Sequence, residues 1–496
     1  MDYSRRETLA LGGGVAAGFL AGGLLGLGAR RDGEPKRRIV GTRDEAAVSE
    51  ACEAVAGDER VIDLEAQRTL VVGPLDEAAA ADLATAEAVD YVEPDLPVAA
   101  ADAGRRPAPL GQRRRQWALD RIDAPAAHEA GHRGEGVRVA VIDSGVATHP
   151  DIAPNLADGI AFVDCTDGCS APWTDDAGHG TGCAGVIAAA GDLLGVAPGA
   201  TVHPVKVLDA EKAGRVSLVA AGIRWAVDRG CSVVNLSISG PIIRAYEDAV
   251  RHAAEHDVLV VASAGNVGPC SDCLNPLSTH PEVVAVTATT REDDFARFSA
   301  TGPEAELAAP GAAITTTGLG QYVTVNGTSF SAPHVAGAAA LCRGAGHSAA
   351  ATRALLAETA ETLTLSADEQ GSGLVDAAAA LVPTVRTLPP ERNGRRVTFR
   401  GQVPRIEGEA ATVRFEYRWR FGRRWRTTPA RRLTRSGRFE ATVRLRRLLT
   451  YRVRALAEFD DGTTVRGDGV RVRVPVSLRQ GGPVTTGRHR VGVTRR

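Results

Sequence analysis

Hydrophobic and polar positions along the chain fall into three textures. Over residues 36–98, short apolar runs with strand spacing (RRIVGT, RVIDLEA, TLVVG, VDYVEP) alternate with helical runs at Asp44 to Ala56 and Asp76 to Ala86. That order predicts a small βαββαβ unit. An Ala-, Pro- and Arg-rich linker follows at 99–116, and then near-continuous apolar runs such as VAVID and VLVVA alternate with helical stretches through 117–382. Strands buried on both faces read this way, so the pattern predicts an α/β fold, a parallel sheet flanked by helices. Over 389–475 the period drops to two (TVRFEYRWRF, GRFEATVRL, YRVRALAEF), with turn signals RSG and DDG between the runs. A small Arg-rich β-sandwich is expected there. Residues 476–496 keep no period and read as a flexible tail.

Composition narrows the class. The chain has 496 residues, 44% hydrophobic and 24% charged, which excludes a wholly disordered, collagenous or polytopic membrane protein. A formal net charge of -2 hides an asymmetry: residues 1–382 carry 29 basic and 51 acidic side chains, and residues 383–496 carry 29 and 9. At the N-terminus, within 1–31, Arg5 and Arg6 precede an apolar, glycine-rich stretch from Leu9 to Ala29. This is the layout of a twin-arginine export signal, and an uncleaved anchor fits the same stretch. Either reading places the folded chain outside the cell or at its surface.

Three separated motifs in the α/β region carry candidate chemistry: VAVIDSG with Asp143, GHGTGCAG with His179, and NGTSFSAPHVAG with Ser329. A serine hydroxyl is a poor nucleophile near neutral pH. It needs an imidazole to accept its proton and a buried carboxylate to hold that ring in the useful tautomer. Asp143 ends a β run, His179 begins a helical run, and Ser329 opens a helix expected over Ser331 to Cys342. Asn266, in SAGN after the strand VLVVA, offers a side-chain amide to an oxyanion.

These residues, in the order Asp, His, Asn, Ser, resemble the subtilisin-like serine proteases (peptidase S8 family), as do the blocks GVAPGATVHPVKVLD, VVNLSISG and GSGLVDA. The resemblance covers Trp117 to Leu381. It implies an endopeptidase acting on polypeptides through an acyl-enzyme, with no cofactor for the chemistry and a monomeric state. It also implies that 36–98 is an inhibitory propeptide, its own intramolecular inhibitor, removed by cleavage within 99–116. Substrate-binding positions carried over are Ser237, Ile238, Ser239 and Gly240, with Ser263, Ala264 and Gly265. Three residues bear on how the family pattern is filled: Phe330 stands where the family usually carries methionine, Ser239 where it carries glycine, and Cys183 resembles the thiol beneath the histidine in proteinase K-like members. Structural calcium is implied by the resemblance alone. Asp151, Asp164, Asp167, Asp175 and Asp176 are numerous around His179, but no ligand set has readable spacing.

Rival readings have specific carriers. His128, Glu129 and His132 spell HEAGH, the HExxH zinc pattern, but Gly131 and the following RGEG end the helix that a metal site would need. A non-catalytic binding scaffold is the second rival, opposed by the filled catalytic positions. The eight cysteines permit disulfides in an exported chain, with Cys165–Cys169 and Cys270–Cys273 near enough to pair locally and Cys231 and Cys342 in apolar runs. The basic C-terminal segment, whose GRRW and GRF patterns resemble Ig-like accessory domains over 389–475, suggests polyanion binding, yet its arginines alternate with apolar residues as one exposed sheet face does, so no specific nucleic acid is expected.

Overall fold

The structure is a computed structural model. It describes residues 36–381, apart from 56, 58, 66–67, 101–103 and 109–115, and then 386–393, 396–403, 411–419, 425–432, 438–445, 450–459, 464–466 and 470–473. The expected signal or anchor over 1–31 and the tail lie outside the described residues. Contacts divide the rest into two units, one ending at Ala377 and one starting at Ala378.

The first unit begins with β1 (Lys36–Thr42), α1 (Glu45–Ala54), β2 (Arg60–Asp63), β3 (Thr69–Leu75), α2 (Glu77–Thr85) and β4 (Val89–Pro94). Asp44 and Asp76 start the helices by accepting backbone N–H bonds from Ala46, Ala47 and Ala79. The strands form an antiparallel sheet in the order β2-β3-β1-β4. One face, with Val40 and Val71, is covered by Ala47, Ala51 and Leu83 of the two helices. Its opposite face, with Ile39, Leu70 and Val72, joins the core of the following α/β layer. Alternation at period two makes this double burial possible.

Next come β5 (Pro97–Ala99), β6 (Gly104–Pro107), α3 (Trp117–Arg121), α4 (Ala124–Glu129), β7 (Arg138–Asp143), β8 (Ile160–Ala161) and α5 (His179–Ala188). They continue through β9 (Thr201–Lys206), β10 (Ala213–Arg215), α6 (Val216–Asp228), β11 (Val233–Leu236), α7 (Arg244–Glu255), β12 (Leu259–Ser263) and β13 (Val283–Thr289). The unit ends with β14 (Leu307–Pro310), β15 (Ile314–Thr317), β16 (Tyr322–Asn326), α8 (Ala332–Gly344), α9 (Ala349–Thr359) and α10 (Ala367–Gln370). Seven strands make a parallel sheet in the order β14-β13-β12-β11-β7-β9-β8, the architecture expected from the apolar runs. Ala140, Ile142, Val234, Leu236, Val260 and Ala262 pack one face against α6 and α7. The alternate residues Val139, Val141, Val233 and Val261 face the other way, toward the side that α5 and α8 approach.

Neither α6 nor α7 caps its own N-terminus with a side chain. Two acids from the N-terminal segment do so. Glu93 accepts from Arg244 N and Ala245 N at 3.1 and 2.8 Å, and Asp95 accepts from Ser217 N and Ser217 Oγ at 3.1 and 2.8 Å. Such caps are worth about 1 kcal/mol each.

The second unit consists of antiparallel strands, arranged as a three-stranded sheet and a larger one built around Ala411–Trp419 and Thr450–Phe459. Val397 and Phe399 from the first, with Val403 just beyond its strand, share a core with Val413, Phe415, Tyr451 and Val453 from the second.

Candidate active site

Asp143 ends β7, so its side chain sits at the carboxyl edge of the parallel sheet, where open α/β sheets place their sites. It is 0% exposed, and its Oδ1 accepts from Ser144 N at 2.7 Å and from His179 Nδ1 at 2.8 Å. His179 is the first residue of α5. Asp175 fixes this helix start by accepting from Ala177 N, Gly178 N, Thr181 N and the hydroxyls of Thr181 and Ser144. Burial raises the Asp175 carboxyl, and those donors oppose the shift. Gly180 lets α5 approach the end of β7, since a Cβ there would lie 2.1 Å from Gly145 O.

Ser329 lies in a single 3-10 turn, Thr328–Phe330, ahead of α8. That helix runs Ala332–Gly344 rather than Ser331 to Cys342, because the chain first tightens into this turn and Pro333 then occupies its opening positions. The Ser329 carbonyl accepts from Ser237 Oγ at 2.8 Å and from Cys183 Sγ at 3.3 Å, and the same sulfur lies 3.9 Å from Asp143 Oδ2. The Phe330 ring is centred 5.6 Å from the His179 ring. Asp143, His179 and Ser329 thus share one buried cluster, with Cys183 at its base.

Asn266 is held by its carbonyl end, which accepts from Thr328 N at 2.9 Å and Thr328 Oγ1 at 3.0 Å. In a planar amide this turns Nδ2 the opposite way. Gly265, at φ +106, donates to the same Thr328 hydroxyl. Ser263 and Ala264 continue β12 into this turn, and Ala264 N bonds to Val286 O. Asn275 joins the two arms of the region: its Nδ2 donates to Ile238 O and Ser263 O, and its Oδ1 accepts from Gly240 N. Sequence reasoning passed over Asn275. Its only local signal is its position two residues after the Cys270–Cys273 disulfide.

Ser237 to Gly240 follow β11 and form one edge of a groove already filled by the chain itself. β5 pairs antiparallel with β10 on one side, and Ala99 bridges Ser239 on the other. Val98 is 1% exposed, packed so closely on Gly240 that a Cβ there would lie 2.6 Å from Val98 Cγ1. Farther along, β6 pairs antiparallel with β16, and Arg105 donates to Ala177 O at 3.1 Å. Of the stretch expected to be a linker, Ala99 ends β5 and Gly104–Pro107 forms β6.

Three of the acids considered for calcium are already held by hydrogen-bond donors. Asp151 accepts from Asp192 N, Leu193 N and Tyr322 OH. Asp176 accepts from Lys206 Nζ at 2.6 Å and from Thr166 N and Oγ1; against the cost of burial, these bonds hold its carboxyl below its ordinary value. With the donors on Asp175, hydrogens point where a cation would sit. Asp164 and Asp167 join no cluster of three close ligands among the described residues. Lys206, fully buried, completes its shell with Ser144 O and Leu208 O. At the HEAGH segment α4 stops at Glu129, and His128 Nε2 meets Val196 O at 2.8 Å, so the two imidazoles share no continuing helix face. Cys165 is joined to Cys169, while Cys231 and Cys342 are buried thiols that burial pushes up to about 12.

Comparison with known proteins agrees with this geometry. The Subtilase family model matches residues 134–376. An alkaline protease of Alkalihalobacillus alcalophilus is 37% identical over 357 residues, 70% of this chain and 91% of that protein. Subtilisin Savinase of Lederbergia lenta is 43% identical over 272 residues, covering 53% and 97%, and subtilisin E of Bacillus subtilis is 38% identical over 275 residues, covering 54% and 68%. The chain belongs to the subtilase family and is a subtilisin-like serine endopeptidase.

Proposed function

We propose that the chain is an exported zymogen in which Ser329 is the nucleophile, His179 the general base and acid, Asp143 the residue that orients it, and Asn266 an oxyanion donor. The observation that carries this reading is the strand Pro97–Ala99, lying between Ala213–Arg215 and Ser239, two residues from Ser237, whose carbonyl is 3.5 Å from Ser329 Oγ. An extended chain in this groove is bound through its backbone, which gives affinity without strict sequence choice.

In the reaction Ser329 Oγ attacks the scissile carbonyl while His179 Nε2 takes its proton. Asp143, bonded to Nδ1–H, keeps the ring in that tautomer and stabilises the imidazolium. Asn266 Nδ2 and backbone N–H groups meet the oxyanion. The proton passes to the leaving amine, and water attacks the acyl-serine by the same route in reverse to free the acid.

Residues 36–98 serve as the inhibitor. Support comes from Glu93 and Asp95, which cap α7 and α6, and from Val98 seated on Gly240. Arg5 and Arg6 ahead of the apolar stretch support export by a twin-arginine route. The test compares wild type with Ser329→Ala on a protein substrate. Wild type should shorten itself, hydrolyse the substrate, and be stopped by a sulfonyl fluoride but not by a zinc chelator. Ser329→Ala should stay full length and inert. Inhibition by the zinc chelator, or processing without Ser329, would overturn the reading.

A further inference from the structure

Away from Ser329, Glu65, His252 and His256 bring ligand atoms within 4.8 Å of one another. Glu65 follows β2 in the N-terminal segment, whereas His252 lies in the last turn of α7 and His256 caps that helix. The two imidazoles are four residues apart, hence on one helix face, with ring centroids 4.3 Å apart.

Hydrogen bonding leaves this cluster short of a cation. His256 Nδ1 is 2.8 Å from His252 O, and a carbonyl only accepts, so the proton of that ring sits on Nδ1. Its Nε2 then meets Glu65 Oε2 at 2.9 Å with a lone pair facing a carboxylate. A second proton on His256 would satisfy this contact. It would do nothing for His252, which is 0% exposed and, among the described residues, has no hydrogen-bond partner at either ring nitrogen. One metal ion answers both shortages. The helix end adds its negative dipole, and the bond from Nδ1 to a carbonyl is the outer-shell arrangement that orients metal-bound histidines. Arg224 lies 3.9 Å from Glu65 Oε1 but is paired with Asp228.

We infer that Glu65, His252 and His256 form a site for a divalent transition metal of the zinc class, which staples the N-terminal segment to α7. Two imidazoles and a carboxylate suit zinc, cobalt or nickel; calcium would call for an oxygen shell. Ligand bonds of about 2.0–2.1 Å require the three atoms to close by roughly an ångström, with water completing a tetrahedron. Because Glu65 and the histidines belong to segments that separate on maturation, the ion would favour the docked state in proportion to its occupancy. That consequence rests on the zymogen reading. The site itself does not.

The test uses the full-length Ser329→Ala chain, stripped of metal and titrated with zinc against a chromophoric chelator, then with cobalt. One equivalent should bind with a dissociation constant of about 10 μM or tighter, cobalt should give tetrahedral visible bands, and Glu65→Gln or His256→Gln, each removing a direct ligand, should weaken binding by more than the roughly 10–100-fold that loss of an outer-shell partner costs. Both substitutions fall on side chains at least a third exposed, so folding is retained. Zinc held at Asp143, His179 and Cys183 would be recognised by its indifference to Glu65→Gln. Absence of a Glu65-dependent equivalent would mean a His256–Glu65 ion pair only and would overturn the inference. Failure of the zymogen reading would instead appear as an N-terminal segment that stays attached in wild type while zinc still binds.

Discussion

Ala99 and Ser239 exchange both backbone hydrogen bonds, Ala99 N to Ser239 O at 2.9 Å and Ser239 N to Ala99 O at 2.8 Å. A side chain at 239 is no obstacle, because residues of a strand alternate in direction while the backbone does the pairing. Ser237, two residues before Ser239, has its carbonyl 3.5 Å from Ser329 Oγ, so the bond to be cut is expected two residues past Ala99. Maturation should therefore cut between Ala101 and Asp102. N-terminal sequencing of the processed protein should begin at Asp102; a start several residues away would mean that the chain shifts register before cleavage.

Asn266 should act in the transition state more than in binding. Removing one such donor costs on the order of a hundred- to a thousandfold in turnover, a magnitude taken from the subtilisin family itself. Asn266→Ala should lower kcat on that scale with KM changed by less than about threefold. A raised KM with unaltered kcat would assign Asn266 to substrate binding instead.

Peroxide should spare the enzyme. The only methionine is Met1, and Phe330, 1% exposed beside His179, presents no thioether next to Ser329. Activity after peroxide treatment should stay near that of untreated enzyme, and rapid loss mapping beside Ser329 would refute the expectation. A mercurial should act differently, inhibiting wild type but not Cys183→Ala.

Acid should destabilise the fold through its buried imidazoles. Burial pushes His334 down to about 4, and burial likewise lowers His128, His149 and His280. The unfolded chain binds protons below about pH 6.5 and the folded chain does not, so stability falls as pH drops from there toward 4. His334 alone accounts for a loss on the order of 3 kcal/mol across that window. Unfolding midpoints of Ser329→Ala at pH 7 and 4.5 should show the drop, and adding His334→Gln should shrink it. An unchanged difference would remove His334 from the account.

What could be read in the chain follows the range of the interactions. The parallel sheet was legible because VAVID and VLVVA carry their burial in local sequence. Asp143, His179 and Ser329 could be nominated because each sits in a short motif of its own. Asp175 resembled any surface acid until Ser144, 31 residues away, and the turn into α5 supplied its donors. Asn275 gave as little sign, since its partners Ile238 and Ser263 come from two other loops. The role of Lys206 depends on Asp176 closing over it, and those of Glu93 and Asp95 on helix ends more than 100 residues downstream. Polar residues whose partners are distant look solvated in sequence, and only the fold reveals them as structural.

The most direct measurement is peptide mapping after reaction with a serine-directed sulfonyl fluoride, run beside residual activity. A single adduct on Ser329, formed in step with loss of hydrolysis and abolished by His179→Ala, is the predicted result. Full activity in enzyme fully labelled at Ser329, or inactivation through an adduct elsewhere, would contradict the account.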